Sequence, residues 1–171
     1  MFTKLLIECE NINNGQPITL FEIVTSIAFL AFSKNKAAWT ILEVGLGGRL
    51  DATNVITKPH LTVITPISLD HQEFLGKNLE SIAYEKAGVL KPNVVAVIGK
   101  QQPEAMTIIK SRAKEINSPL LIYDEDYKIK STFETILFED NFGTIELPKP
   151  SLHGHHQVEN CLLYTSDAAD E

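Results

Sequence analysis

The stretch Trp39–Asn54, WTILEVGLGGRLDATN, limits what this chain can fold into more than any other stretch. It begins with aromatic, aliphatic and β-branched residues and then breaks into Gly45, Gly47 and Gly48, which is typical of a buried strand leading into a tight loop. One carboxylate, Glu43, lies within the apolar run, and a buried carboxylate is costly unless it is paired or binds a cation. Open α/β sheets bind ligands beyond the carboxyl ends of their strands, so the polar residues of the loop are predicted to line a site. These polar residues are Arg49, Asp51, Thr53 and Asn54.

The rest of the chain alternates between strand-like and helix-like segments. The predicted strands are 61–67, 93–99 and 119–124, and the predicted helices are 19–32, 79–87 and 103–117. This alternation indicates right-handed βαβ units and an α/β fold, with a mostly parallel sheet flanked by helices. Residues 134–140 and 143–147, separated by Asn141 and Phe142, predict an antiparallel hairpin at the margin of the domain.

The first predicted helix begins with TLFE, residues 19–22, which is typical of a capping box. In this motif the Thr19 hydroxyl and the Glu22 carboxylate accept hydrogen bonds from N–H groups at the helix start. The helix is apolar on almost every side, so it is predicted to be buried. Two roles of TLFE are compatible: it caps the helix, and the helix start offers N–H groups to a polar or anionic ligand.

Two polar residues, His71 and Lys86, lie where the pattern predicts a site. The strand 61–67 is followed by Asp70 and His71, so a parallel sheet places this imidazole at the same edge as Glu43. Lys86 falls on the apolar stripe of helix 79–87, and lysine is rarely buried without a partner. Each residue also has a plainer interpretation, a solvated histidine and a lysine whose amine reaches solvent. The alternative is that both side chains face an active site.

Composition argues against several classes of function. The 171 residues carry a net charge of −7 without a basic patch, which argues against nucleic-acid binding. No apolar run approaches the roughly 20 residues of a membrane span, and the N-terminus is charged too early for a signal peptide. Cys9 and Cys161 have neither disulfide nor zinc spacing. We therefore predict a cytoplasmic protein with two free, buried thiols and no nucleic-acid or membrane partner.

The segment LEVGLGGRLDATN, residues 42–54, closely resembles the signature of folylpolyglutamate synthase and dihydrofolate synthase, members of the Mur ligase superfamily. The resemblance extends from about Thr19 to Asn160. It implies the central, P-loop NTPase-like domain of an enzyme that uses ATP and Mg²⁺ to activate a folate or dihydropteroate carboxylate as an acyl phosphate. The amine of L-glutamate then attacks this intermediate. The resemblance also implies a monomeric parent enzyme.

The same resemblance implies roles for individual residues. Glu43 and His71 match magnesium ligands of catalytic importance. Lys86, in the motif EKAG, matches a catalytic lysine whose carbamylated side chain also supports the metal. Asn160 matches an asparagine that contacts adenine. The residues that match pteroate-contacting segments are Thr19, Leu20, Phe21, Glu22, Leu50, Asp51 and Ala52.

The chain departs from the family pattern in two places. No GxxxxGK[ST] phosphate-binding motif occurs in the 171 residues. After Leu163 the resemblance stops. We therefore expect an internal fragment that is incomplete at its N-terminus, with residues 1–163 as a partial central domain and 164–171 as a tail outside the family. Such a fragment is expected to have little or no ligase activity by itself.

Three other interpretations of the sequence can be compared with the residues that each of them requires. A dinucleotide-binding domain requires a third glycine where this chain has Leu50, and a helix that is not indicated before Pro59. Another Mur ligase, acting on a cell-wall peptide precursor, shares the metal residues, although TLFE and LGGRLDATN favour the folate branch. A non-catalytic binding domain is supported by the missing phosphate motif, yet it gives no reason for Glu43, His71 and Lys86 to occur together. The residue pattern does not support a metal site at His153, His155, His156 and Glu159.

Overall fold

The computed structural model describes residues 1–132, 134–149 and 151, and the chain forms two compact units. The first unit comprises Met1–Leu46 and Leu50–Ile56, and the second comprises Gly47–Arg49 and the described residues from Thr57 onward. Separate clusters of buried apolar side chains form the cores of the two units. In the ranges given above, no helix is long and apolar enough to cross a membrane.

The first unit is built on two helices, α1 (Phe2–Asn13) and α2 (Leu20–Lys34). Helix α1 is not among the predicted helices. Its buried residues Leu5 and Cys9 lie one helical turn apart and pack with Ile27 of α2 to form the core of this unit. Cys9 is a buried free thiol, which confirms the prediction for this cysteine.

Helix α2 begins as predicted but is less buried than predicted. Thr19 is its N-cap residue and forms a capping box with Glu22. Several of its large apolar side chains are nevertheless exposed, namely Leu20, Phe21, Val24 and Phe32. Within this unit α2 packs against α1, and a helix that packs on one neighbour buries a single stripe of its surface. The prediction of a helix buried on all sides is therefore wrong.

The second unit contains a parallel sheet flanked by helices, which confirms the predicted α/β class. Its strands are β1 (Thr62–Ile64), β2 (Ala96–Ile98) and β3 (Leu120–Ile122), hydrogen-bonded in that order. The helices between them are α3 (Gln72–Leu75), α4 (Leu79–Ala87) and α5 (Pro103–Ile116). Ala96 and Ile98 of β2 share a core with Ile82 of α4 and Ile109 of α5. The helices pack on this face because alternate residues of a strand point to one side.

An antiparallel sheet packs on the other face of β2. Its strands are β4 (Tyr127–Ser131), β5 (Thr135–Asp140) and β6 (Gly143–Pro148), in that order. The predicted hairpin is confirmed as β5 and β6, whereas β4 is not among the predicted strands. Ile136 and Phe138 share a buried cluster with Val97, which alternates with Ala96 and Ile98 along β2. The hairpin therefore belongs to a packed layer rather than to the domain margin, because β2 is apolar on both faces.

Residues 39–44 do not form the predicted buried strand. The side chains of Trp39 and Ile41 are 59% and 72% exposed. A β-strand is stabilised by hydrogen bonds to an adjacent strand, and no strand in the described parts of the chain pairs with residues 39–44. Residue types that favour strands are therefore not sufficient to form a strand at residues 39–44.

Candidate functional site

The start of α2 is held by reciprocal hydrogen bonds between Thr19 and Glu22. The Glu22 backbone N–H donates to Thr19 Oγ1 at 3.2 Å. The Glu22 carboxylate accepts from the Thr19 backbone N–H at 2.8 Å and from its hydroxyl at 2.7 Å. These two bonds, the backbone one first, hold the pKa of Glu22 below its usual value. All four residues of this turn are exposed, and Leu20 and Phe21 add large apolar side chains to its surface.

The ring of Phe21 packs against Gly45, the first residue of the loop at residues 45–49, which we call the glycine loop. A Cβ atom added at Gly45 would lie 2.5 Å from Cζ of Phe21, closer than real Cβ atoms approach other heavy atoms. A side chain at position 45 would therefore displace the Phe21 ring. The structure thus brings the TLFE turn and the glycine loop together within the first unit.

The carboxylate of Asp51 closes the loop that follows Gly45. Its Oδ2 accepts hydrogen bonds from the backbone N–H groups of Gly45 at 3.1 Å and Leu46 at 2.9 Å. Its Oδ1 accepts from the Thr53 backbone N–H at 2.9 Å and from the Thr53 hydroxyl at 2.6 Å. Burial acts to raise the pKa of Asp51, but the bonds from Thr53, Leu46 and Gly45 outweigh burial and hold the pKa below its usual value. The predicted segments 19–22 and 50–52 therefore meet at Gly45.

The end of the glycine loop, in the second unit, lies against the last turn of α4. The Arg49 backbone N–H donates to the Glu85 carbonyl at 2.8 Å. The Arg49 guanidinium binds the Glu85 carboxylate through Nε at 3.2 and 3.3 Å and through Nη2 at 3.0 Å. It also lies over the ring of Tyr84, 5.6 Å from the centroid. This bidentate pair therefore holds the loop to the helix that carries the EKAG motif.

The three predicted metal residues are distributed over the two units. Glu43 is an exposed residue of the first unit, and His71 and Lys86 belong to the second. His71 is exposed and precedes α3, with its Nε2 3.5 Å from Asp70 Oδ2. Lys86 is half-buried on α4. Over residues 1–132, 134–149 and 151, no group of three His, Cys, Asp or Glu side chains is arranged to hold a metal ion.

Several predicted residues lie outside the part of the chain that the structure describes. They are Asn160, predicted to contact adenine, Cys161, and the histidine cluster with its carboxylate, His153, His155, His156 and Glu159. The predicted tail 164–171 lies there as well. These assignments stay predictions.

Two residues that bind predicted segments were not singled out from the sequence. Glu85 binds Arg49, and Gln101 binds the backbone that follows β1. Neither residue has a local signal, since its partner lies 34 to 36 residues away in the sequence. Thr53, which was predicted to line the site, donates two hydrogen bonds to Asp51, and an Asp side chain commonly accepts from the N–H two residues later.

The chain is similar to proteins of one family. Residues 3–165 match the family model described as Mur ligase middle domain. The chain is 40% identical over 157 residues to the dihydrofolate synthase/folylpolyglutamate synthase of Bacillus subtilis, covering 87% of this chain and 36% of that protein. It is 36% identical over 163 residues to the protein of that name from Mycobacterium tuberculosis, covering 87% of this chain and 33% of that protein.

A solved structure matches over nearly the whole chain. E. coli FolC in complex with DHPP and ADP superimposes with a TM-score of 0.88 and 33% sequence identity, covering 99% of this chain and 40% of that chain. The chain spans about a third of the length of the two curated relatives described above.

Proposed function

Because the chain belongs to the Mur ligase family, we propose that it is part of an ATP-dependent ligase that adds L-glutamate to a folate or dihydropteroate carboxylate. The names of the relatives, dihydrofolate synthase and folylpolyglutamate synthase, support this proposal. The observation that carries it is the junction at Gly45, where the Phe21 ring meets the loop closed by Asp51. Both segments at this junction resemble pteroate-contacting segments of the family.

The proposed reaction has two steps. A substrate carboxylate oxygen attacks the γ-phosphorus of ATP, the bond to the bridging oxygen breaks, and an acyl phosphate and ADP are formed. The glutamate amine then attacks the acyl carbon and loses a proton, and inorganic phosphate leaves as the amide forms. Negative charge on the phosphoryl oxygens must be neutralised in the first step, which positively charged groups do in phosphoryl-transfer enzymes generally.

We propose Mg²⁺ as the ion that supplies this positive charge, with ligands assigned from their sequence motifs. Glu43 has the carboxylate oxygens that Mg²⁺ prefers, whereas the imidazole of His71 is a nitrogen donor and a less usual ligand of this ion. Lys86 as an ammonium group has no lone pair, so it fits this role only when carbamylation makes it a carboxylate-like anion. Asn160 is proposed to contact adenine.

We propose that residues 1–163 form part of the central domain and that 164–171 are a tail outside it. The 171 residues contain no GxxxxGK[ST] motif, whose backbone N–H groups and lysine hold ATP phosphates in P-loop proteins. This polypeptide by itself is therefore expected to have little or no ligase activity. ATP turnover by the purified chain, abolished by Glu43→Ala, would contradict this expectation.

Binding of dihydropteroate to the 171-residue chain tests the proposed substrate site. Trp39 is the single tryptophan and lies in the same unit as the Gly45 junction, so its fluorescence reports binding. Asp51→Asn replaces half of the carboxylate acceptor by an NH₂ group that cannot accept from the loop N–H groups. We expect this variant to bind dihydropteroate about tenfold more weakly, the effect of losing roughly one good hydrogen bond.

Asp140→Asn is the matched control for this measurement. The Asp140 carboxylate also organises a turn, accepting from the N–H groups of Phe142 at 2.8 Å and Gly143 at 3.0 Å, but it lies in the second unit. We expect this variant to bind like the wild-type chain. An absence of binding by the wild-type chain, or an equal loss in both variants, would overturn the proposed substrate site.

A further inference from the structure

The segment that follows β1 leaves the parallel ladder while it is still partly buried. The register with β2 ends at Ile64 and Ile98, and the Gly99 N–H then donates to the Ile64 carbonyl at 2.9 Å. The next three residues are Thr65, Pro66 and Ile67. Ile67 is only 4% exposed, so its backbone N–H requires a hydrogen-bond partner inside the protein.

The side chain of Gln101 hydrogen-bonds to the backbone of this segment as a neighbouring strand would. Its Oε1 accepts from the Ile67 N–H at 3.1 Å, and its Nε2 donates to the Thr65 carbonyl at 2.9 Å. A backbone strand would make the same two kinds of hydrogen bond. Because Pro66 has no N–H, these two bonds use the N–H and the carbonyl on either side of it. Gln101 lies in the short connection between β2 and the start of α5.

We propose that Gln101 is a positioning residue for His71. The two hydrogen bonds to Gln101 hold residues 65 and 67, four residues before His71, and residues 68–70 between them are exposed. His71 has a left-handed backbone, with φ of 49°, and its N–H donates to the Asp70 carboxylate at 2.7 Å. The left-handed region allowed to a non-glycine residue is small, so this conformation of His71 tolerates little displacement of its neighbours. The inference rests on the proposed function, since it concerns the residue to which that function gives a metal role.

Gln101→Met tests the inference in the 171-residue chain by NMR. Methionine keeps the length of the side chain and removes both hydrogen bonds to residues 65 and 67. We expect the Ile67 amide proton to exchange with solvent about tenfold faster and the His71 imidazole cross-peaks to shift. The amide of Ile109, in the core of α5, should keep its exchange rate.

Gln102→Met is the matched control. Gln102 is the exposed neighbour of Gln101, and its side chain makes no capping hydrogen bond at the start of α5. Ile67 exchange and His71 signals that are the same in both variants would overturn the inference. Equal acceleration of the Ile67 and Ile109 amides in Gln101→Met would also overturn it, because that result indicates a general loss of stability.

A second measurement separates the inference from the proposed metal role. Mn²⁺ is a paramagnetic substitute for Mg²⁺, and we expect it to broaden the His71 signals of the wild-type chain and to broaden them less in Gln101→Met. Equal broadening in both would count against positioning by Gln101. If Mn²⁺ does not broaden His71 in the wild-type chain, the proposed metal role fails, and the exchange rates and chemical shifts alone decide the role of Gln101.

Discussion

Asp51 organises the loop in which it lies. An ionised carboxylate has roughly four lone-pair sites, and Asp51 accepts hydrogen bonds from Gly45, Leu46 and the two donors of Thr53. The role of residues 50–52 in the proposed substrate site therefore depends on a loop shape that this carboxylate maintains. Thr53 matters to the site through Asp51, since it provides two of the four donors.

Thr53→Val is predicted to raise the pKa of Asp51 toward its ordinary value of about 3.9. The folded state lowers this pKa, so the ionised carboxylate stabilises the fold above about pH 4, and the contribution is lost as pH falls through the folded pKa. We expect the free energy of unfolding at pH 7 to decrease by about 1 kcal/mol, with a smaller difference at pH 2. Carboxyl ¹³C NMR titration and denaturant unfolding measure the two effects. Thr53→Ser keeps the hydroxyl and is the control; a wild-type titration of Asp51 in Thr53→Val would contradict the prediction.

Packing of the glycine loop on α4 depends on shape as well as on charge. Gly88, the C-cap residue of α4, has a helical backbone with φ of −66°, so no left-handed conformation requires glycine there. A Cβ atom at this position would lie 2.5 Å from the Arg49 Cα atom. We therefore expect the close approach at Gly88 to contribute, together with the bidentate pair, to the packing of Arg49 beside Glu85.

Gly88→Ala separates helix propensity from this packing by the sign of its effect. Helix propensity alone predicts that alanine stabilises the helix by about 1 kcal/mol relative to glycine. The close approach of Arg49 predicts the opposite, a loss of about 1–3 kcal/mol from overpacking. Denaturant unfolding gives the sign, and amide exchange at Arg49 locates the effect, since its N–H donates to the Glu85 carbonyl. Increased stability with unchanged Arg49 exchange would contradict the packing argument.

In the second unit as a whole, Tyr127 links the antiparallel sheet to the parallel sheet. Its hydroxyl donates to the Ile98 carbonyl at 2.9 Å, and this carbonyl also accepts the Tyr123 N–H at 3.0 Å. The ring stacks on Phe138, with centroids 5.7 Å apart. Burial, followed by the nearby charges of Tyr123, Asp124 and Asp126, raises the pKa of Tyr127 well above its usual range. The protonated phenol is therefore part of the folded state.

Tyr127→Phe is predicted to change how stability depends on alkaline pH. The folded pKa is raised, so the contribution is fully present below about pH 10, the ordinary tyrosine pKa, and is lost as pH rises toward the folded value. The stability of the wild-type chain should fall as pH rises above about 10, and that of Tyr127→Phe should fall less. At pH 7 we expect a loss of about 1 kcal/mol, because the Ile98 carbonyl keeps a second donor. Tyr84→Phe, at an exposed tyrosine, should keep the wild-type slope in denaturant unfolding; equal slopes in all three proteins would contradict the prediction.

The sequence by itself determined those features of this protein that depend on residues close together in the chain. The start of α2 at Thr19 was predictable because a capping side chain binds an N–H three residues later. The three parallel strands and the β5–β6 hairpin were predictable from short apolar runs and turn residues. The LEVGLGGRLDATN motif likewise indicated the family, which the match to the Mur ligase middle domain confirms.

Only the tertiary structure decided which residues are buried and which distant residues meet. Residues 39–44 have strand-forming side chains without a ladder partner in the described chain, and α2 has apolar faces that its own unit leaves exposed. Glu85 meets Arg49 and Gln101 meets Ile67 across 36 and 34 residues of sequence. The physical reason is the same in each case: burial and long-range hydrogen bonds depend on which segments fold beside each other, and local sequence pattern contains little information about that.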